Sequence, residues 1–424
     1  MDQQQFLDAL CGLMAIESVA MTDPTLEMPY GSGPAKALDY VLDLCGKLGI
    51  RTVNRDGKTA WAEIGAGEEI VGILGHLDVV PVGEGWSHDP KGEVCGDRLY
   101  GRGAIDDKGP TLAALFAMKD VQDAGVPLKR RIRLIFGQSE ETSRWDDMEW
   151  YKAHEELPVF GFTPDADFPA LCGEKGILNF ELSIPLAESG LLSIQGGEAM
   201  NMVPAQCTAA FPESDGPTAI VTTGASAHAS TPEKGENAIS AMMDALIRRG
   251  VQSPLVDFYQ AHIGYDLHGE RLGCAFSDEE SGQLTVNVGL ARTEEARIVL
   301  SLDIRNPVTF TRQQVQSALE TACAPYGITV ECVKDMPPVY MDKNGKVIQA
   351  MMAVYRSVTG DDSPPKVIGG GTYARAMPGI VAFGPMRPGR ECTEHEKDEY
   401  ILLDDLFQAQ EIYRRTIEVL ANLD

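Results

Sequence analysis

Histidine and aspartate two residues apart, His76 and Asp78, stand just past an apolar run at residues 70–74. In extended chain that spacing puts both side chains on one face. A carboxylate beside a histidine is a common metal-ligand arrangement, because it can hold the imidazole in the tautomer that ligates. Further on, Asp106 and Asp107 follow the glycines of GRGAIDDKG, where small residues let backbone approach backbone. Glu140 and Glu141 follow a second apolar run at 132–136, Asp165 and Asp167 a third at 159–162, and His395 lies in ECTEHEKDEY. Singly, each has a plain reading: a strand-end histidine bonded to a loop, or a solvated acidic turn. Taken together, His76, Asp78, Asp106, Glu140, Glu141, Asp165 and His395 supply the parts of a binuclear hydrolytic centre, namely terminal ligands for each ion, a bridging carboxylate and a nearby base. Nitrogen and oxygen donors without thiolate favour zinc, manganese or cobalt over an iron–sulfur or copper–thiolate centre.

The three apolar runs predict strands that each deliver an acidic or imidazole group past a C-terminal end, the edge where open α/β sheets bind ligands. Around them the patterning predicts helices over 4–16, 34–48 and 110–122, and short strands over 51–54 and 61–64. From about residue 177 the character changes. Strands over 178–184, 219–223, 283–290 and 298–306 alternate with helices over 238–249 and 312–322, which reads as an α+β insert. Near 337–340 the chain is expected to return to the first domain with a helix over 347–358, the glycine-rich GGGTYAR at 369–375, a strand over 380–383 and a final helix from about 404. The fold class is therefore α/β: a central mixed sheet flanked by helices in a discontinuous domain, 1–176 and 337–424, with an inserted α+β domain at 177–336.

A chain of 424 residues exceeds a comfortable single core, in keeping with two domains. With 36 Lys and Arg against 63 Asp and Glu, and no basic cluster beyond Lys129–Arg131, nucleic acid is excluded as an expected partner. Nine cysteines are scattered singly with no CxxC pair, so neither a zinc ribbon nor a disulfide framework is suggested and a reducing cytoplasm is expected. The N-terminal residues lack a cationic signal-peptide region. No window approaches the roughly 18 unbroken apolar residues of a spanning helix, so no membrane partner is expected either.

The segments GHLDVVPVGEGW, LYGRGAIDDKGPTLAAL, SEE at 139–141, FTPDADFP, GGEAMNMVP, SAHASTPEKGENAI and GGGTYAR, with the late histidine, closely resemble the M20 family of metallopeptidases. Within it, the bacterial PepV-type dipeptidases are the nearest in wording. The resemblance implies a zinc-peptidase-like catalytic domain with a lid inserted at 177–336, and metal-assisted hydrolysis of a small peptide. It implies two divalent ions, zinc by family expectation: His76 and Asp165 as terminal ligands of one, Glu141 and His395 of the other, and Asp106 as the bridge. Asp78 matches the aspartate that orients the histidine ligand, and Glu140 the general base. The family often has a cis peptide after its bridging aspartate, here between Asp106 and Asp107. His228 matches a lid histidine that stabilises the oxyanion; by its residue type alone it reads as structural. Arg305 in DIRNP resembles the arginine that receives the substrate carboxylate, a task suited to guanidinium geometry, against a plain reading as a strand-end ion pair. Asn201, Gly371 and Arg375 match substrate-contacting positions.

An N-acyl-amino-acid or N-succinyl-diaminopimelate deacylase would use the same metals and base, and an N-acyl amino acid is then the alternative substrate. A non-catalytic peptide-binding module would have no need of a free Glu140. A dehydrogenase is disfavoured because no GxGxxG follows a first strand, and GGGT lacks the GKS or GKT of a phosphate loop. His88, His154, His262 and His268 match nothing and read as ordinary surface residues. The insert looks longer than the compact lid of dimeric relatives and shorter than the doubled lid of monomeric PepV-type enzymes. A monomer or a homodimer is expected, with His228 acting in its own site or a partner's.

Overall fold

A computed structural model describes residues 3–424. It divides into two compact units, one comprising residues 3–172, 341–366 and 372–424, the other residues 173–340 and 367–371.

The first unit is built on a mixed sheet. Its strands lie in the order Arg51–Asn54, Ala60–Ile64, Arg131–Gly137, Ile70–His76, Phe160–Thr163 and Ile380–Ala382. The first three pair antiparallel, whereas Ile70–His76 runs parallel to both of its neighbours and Ile380–Ala382 runs parallel to Phe160–Thr163. Strands buried on both faces need continuous apolar sequence, and every residue of Ile70–His76 is buried. Side chains must also be absent where backbones crowd. A Cβ on Gly161 would lie 1.8 Å from the Gly72 carbonyl oxygen, and one on Gly75 would lie 2.0 Å from the Thr111 hydroxyl.

Helices Gln3–Met14, Lys108–Asp123, Lys346–Thr359 and Leu403–Ala421 form a packed set, joined by rings such as Phe6 on Phe116 (5.1 Å between centroids). Phe162 of the sheet stacks on Tyr413 of the last helix at 5.2 Å. Helix Lys108–Asp123 begins two residues earlier than the sequence suggests, so Pro110 occupies its first turn, where the missing N–H costs nothing. A small antiparallel sheet, Glu93–Cys95, Arg98–Tyr100 and Tyr400–Leu402, ties the loop after the first parallel strand to the C-terminal segment.

The second unit carries a seven-stranded antiparallel sheet in the order Gly216–Thr223, Gln206–Glu213, Ser193–Gly196, Thr285–Glu294, Arg297–Asn306, Gly176–Pro185 and Thr329–Met336. Alternate residues of Gln206–Glu213 face a core shared with helices Ala238–Arg248, Pro254–His262 and Arg312–Cys323. The sequence reading keeps GGGTYAR together in the first domain. In the structure residues 367–371 group with the second unit, where Lys175 N–H donates to the Ile368 carbonyl (2.9 Å) and Arg305 Nη1 to the Gly369 carbonyl (2.9 Å). His88, His262 and His268 are half-buried rather than plain surface residues; His262 and His268 each engage a backbone carbonyl through Nδ1.

Two glycine substitutions separate close packing from helix propensity. Gly161→Ala, which drives a Cβ into the neighbouring backbone, is expected to lower stability by about 1–3 kcal/mol or more. Gly46→Ala, at an exposed position of helix Ser32–Leu48 where the new Cβ meets nothing, is expected to raise it by about 0.5–1 kcal/mol. Urea denaturation of both variants measures the contrast.

Candidate active site

Parallel pairing brings three strand ends to one edge. Past Ile70–His76, Arg131–Gly137 and Phe160–Thr163 come Asp78, the Glu140–Glu141 pair and Asp165. His76 is the last residue of its strand, fully buried and registered against Gly137. Its Nδ1 lies 3.0 Å from the Asp78 carbonyl oxygen. A carbonyl only accepts, so Nδ1 carries the hydrogen and Nε2 is the free ligating nitrogen of the neutral ring. Nε2 stands 2.9 Å from Asp106 Oδ1 and 3.8 Å from Asp165 Oδ1.

The other oxygen of Asp106 faces a second imidazole. Asp106 Oδ2 is 2.9 Å from His395 Nε2, which is also 3.1 Å from Glu141 Oε2. One carboxylate therefore stands between two histidines, spending one oxygen on each. The donor atoms of His76, Asp106 and Asp165 lie within 4.8 Å of one another, as do those of Asp106, Glu141 and His395. The two triads share Asp106.

This donor set fits divalent cations. With its hydrogen on Nδ1, the neutral His76 ring aims a lone pair at a carboxylate oxygen, an acceptor against an acceptor, and only a proton or a cation between them resolves the contact. The electrostatics point the same way. Burial works to lower His76, but Asp106, Asp165 and Asp78 outweigh it and hold the imidazole well above its usual range. Hydrogen bonds to Asp106 and then Glu141 push His395 up to about 11. Burial works to raise Asp106, yet His395 and His76 hold it below the usual carboxylate range. Positive charge is thus required on both sides of Asp106.

Glu140 differs from its neighbour. Its carboxylate accepts no hydrogen bond from the described residues, and burial followed by the charge of Asp165 raises it well above the ordinary value. Adjacent residues at the end of one strand thus present one carboxylate to His395 and leave the other uncommitted.

Several buried groups position this set. Asp78 does more than face His76: its carboxylate is 3.5 Å from the ring Nδ1 but accepts the N–H groups of Glu140 (3.1 Å) and Glu141 (3.0 Å), clamping the turn that carries both glutamates. Asp147 accepts from Gln138 N–H (2.6 Å) and Ser139 Oγ–H (3.0 Å) just upstream of that turn. Asp107, joined to Asp106 by a cis peptide, accepts from His76 N–H and from the Thr111 hydroxyl. Glu399 is not among the residues singled out by sequence. This fully buried carboxylate accepts N–H groups from Gly103 (3.0 Å) and Ile105 (3.1 Å) and pairs with Arg102 (2.5 Å). Arg102 also donates to the His395 carbonyl at 3.4 Å. His395 has φ +63°, a conformation costing a non-glycine residue about 1–3 kcal/mol unless its surroundings hold it. Glu399 and Arg102 thus join the loop of Asp106 to the loop of His395. The only sequence signal was an acidic residue four positions after a histidine.

The remaining candidates fall elsewhere. Arg375 lies in the first unit, in the short turn Tyr373–Ala376. Asn201, His228, Arg305 and Gly371 belong to the second unit. There His228 pairs with Met202 across an isolated bridge, and Ala229 N–H donates to the Asn201 carbonyl (2.8 Å). His228 Nδ1 accepts the Ser230 N–H at 3.2 Å, which leaves the ring hydrogen of the neutral form on Nε2. Partial desolvation, then the charge of Arg305, hold His228 below its usual range. Arg305 is buried and engages Asp303 through two contacts, 2.6 and 3.0 Å, so the ion pair of its plain reading is present.

A helix-flanked mixed sheet that gathers histidines and carboxylates of this kind at its parallel edge defines a metal-dependent hydrolase. Peptidase family M20/M25/M40 matches residues 72–419. A Bacillus subtilis (strain 168) protein named "Putative dipeptidase YtjP" is 37% identical over 93% of this chain and 92% of its own length. Among solved structures, the aminoacylhistidine dipeptidase of Vibrio alginolyticus superposes with a TM-score of 0.63 at 15% identity, over 98% of this chain and 96% of that one. Human carnosine dipeptidase 1 gives 0.61 at 17%, over 99% and 97%, and both show the likeness of fold. The chain belongs to peptidase family M20 and is a metallopeptidase of that family.

Glu399→Ala is expected to destabilise the protein by about 3–5 kcal/mol, because it strands Arg102 as an unpaired buried charge and removes acceptors from the Asp106 loop. A denaturation midpoint close to that of the wild type would contradict the positioning role.

Proposed function

We propose that this chain is a dipeptidase, hydrolysing the amide bond of small Xaa-Xaa or β-Ala-Xaa peptides at a centre of two divalent ions, zinc, manganese or cobalt. The observation that carries the reading is the division of labour at 140–141: Glu141 faces His395 while the partly buried Glu140 is uncommitted. A site that only bound peptide would have no use for such a base. The dipeptidase name of the Bacillus relative supports the substrate class.

In this reading His76 and Asp165 would hold one ion and Glu141 and His395 the other, with Asp106 common to both sets. Bound there, such ions would supply Lewis-acid polarisation of the scissile carbonyl and acidification of the attacking water. Glu140, whose carboxylate accepts no hydrogen bond from the described residues, would take a proton from the attacking water and give it to the leaving amine. Asp78 keeps the His76 tautomer and the glutamate turn fixed. To the second unit we assign the lid's role of substrate recognition. His228, with its hydrogen on Nε2, would donate to the tetrahedral oxyanion, and Arg305 would receive the substrate carboxylate. Asn201, Gly371 and, from the first unit, Arg375 would line the substrate. The absence of disulfides among nine free cysteines suits the reducing cytoplasm.

Glu140→Gln is expected to lower kcat by roughly 10²–10⁴-fold while leaving the bound metal unchanged by elemental analysis; full activity with intact metal would refute the base. Arg305→Lys keeps the charge and loses the fork geometry. It is expected to raise KM more for a free dipeptide than for the dipeptide amide, and equal losses on both would reject the carboxylate role. Substrate class is tested by comparing a free dipeptide with its N-acylated or N-succinylated amino-acid counterpart on the same metal-loaded enzyme. Faster turnover of the free amine is expected, and preference for the blocked amine would move the chain to the deacylases.

A further inference from the structure

A second set of donors lies outside the acidic centre of the first unit: His88, Glu93 and Cys95, whose ligating atoms stand within 4.8 Å of one another. We propose that these three side chains form a separate, thiolate-containing site for a zinc-type divalent cation, which clips the 86–92 loop to the adjoining hairpin.

Glu93 and Cys95 belong to strand Glu93–Cys95, which pairs antiparallel with Arg98–Tyr100 across a tight turn through Gly96 (φ +63°). Residues two apart in a strand share a face, so carboxylate and thiol project together while Val94 points away. His88 reaches them from the preceding loop and is held from two directions. Its N–H donates to Asp398 Oδ1 (3.1 Å), beside two further bonds from Ser87 to the same carboxylate (2.8 and 2.6 Å). Its ring stacks on Tyr100, with centroids 3.7 Å apart and planes inclined by 12°. So held, Nδ1 faces Glu93 Oε1 at 3.3 Å. Glu93 is oriented in turn, its other oxygen accepting the Asp89 N–H at 2.8 Å. Two donors are thus set before any ion arrives, and the third, Cys95, is exposed and free to rotate.

The chemistry selects the cation. Ligands about 2.0–2.3 Å from a tetrahedral ion stand roughly 3.3–3.8 Å apart, a spacing that His88 and Glu93 already have. Imidazole, carboxylate and thiolate together suit zinc or cobalt over magnesium or calcium, with a water completing the coordination. A half-buried histidine–glutamate pair alone is worth little and does not account for a ring locked by stacking with a thiol alongside.

The test is cobalt titration of the reduced, chelator-stripped, full-length protein, followed by the near-ultraviolet thiolate-to-cobalt charge-transfer band. The acidic centre has no sulfur donor and is silent in that band, so the readout is independent of turnover. A saturable band is expected, with one cobalt per chain bound beyond those taken up by the acidic centre, reversed by zinc, absent in Cys95→Ser and retained in Cys392→Ser. His88→Ala is expected to weaken it by at least the roughly 10–100-fold that loss of an outer-shell partner costs. Absence of the band in the wild type, or its survival unchanged in either Cys95→Ser or His88→Ala, overturns the proposal. Peptidase activity of zinc-loaded Cys95→Ser is expected to match the wild type.

Discussion

Mutual repulsion among carboxylates at the end of three parallel strands is the constraint to which the rest of the first unit responds. Asp78, Asp106, Asp107, Glu140, Glu141 and Asp165 crowd one edge, Asp78 and Asp107 wholly out of water and the others partly so. Burying one unpaired charge is costly, and burying several of one sign is tolerable only with compensating positive charge or proton uptake. Both responses are visible. Asp106, between two imidazoles, is held charged, whereas burial drives Asp107 and Glu140 toward their neutral forms. A sequence selected for stability alone would not gather these groups, and such breaches of ordinary burial rules concentrate where function requires them.

The scaffold bears the cost through backbone. N–H groups of His76, Gly103, Ile105, Glu140 and Glu141 all donate to buried carboxylates, so fixed dipoles do part of the work of cations. Asp106 and Asp107 also stand at the start of helix Lys108–Asp123, whose positive end favours them. That helix approaches the central strand closely because Gly75 offers no side chain to Thr111. Replacing any of these contacts by solvent would leave the acidic residues in place but without fixed spacing, and a shared-carboxylate geometry depends on spacing.

Much of this was legible in the sequence, and what was not has a physical reason. Each of the three apolar runs ends in a polar residue type, and parallel pairing, the natural arrangement for fully apolar strands, puts those ends together; that is why His76, the glutamate pair and Asp165 could be placed on one edge. Glu399 was invisible because its role is made by loop closure rather than periodicity, and an acidic residue among ECTEHEKDEY reads as solvated. The affiliation of residues 367–371 was hidden for the same reason: it rests on Arg305 and Lys175 reaching glycine-rich backbone far away in sequence. Helix Pro254–His262 was missed although its signal was present, a serine cap at Ser253 followed by proline at the first helical position.

In the second unit the same logic of paired charge bears on recognition. Arg305 is buried against Asp303, and the two nearly cancel as a long-range charge. A carboxylate approaching this pair would gain little from net charge. It would gain instead from whichever guanidinium N–H donors remain after Asp303 and the Gly369 carbonyl are satisfied, and these point in fixed directions because the fork is rigid. His228, its Nδ1 occupied by the Ser230 N–H and its proton affinity lowered, likewise offers a single directed donor rather than a charge. On the substrate-binding role proposed for Arg305 and His228, neutralised and oriented donors would discriminate by geometry more than by attraction.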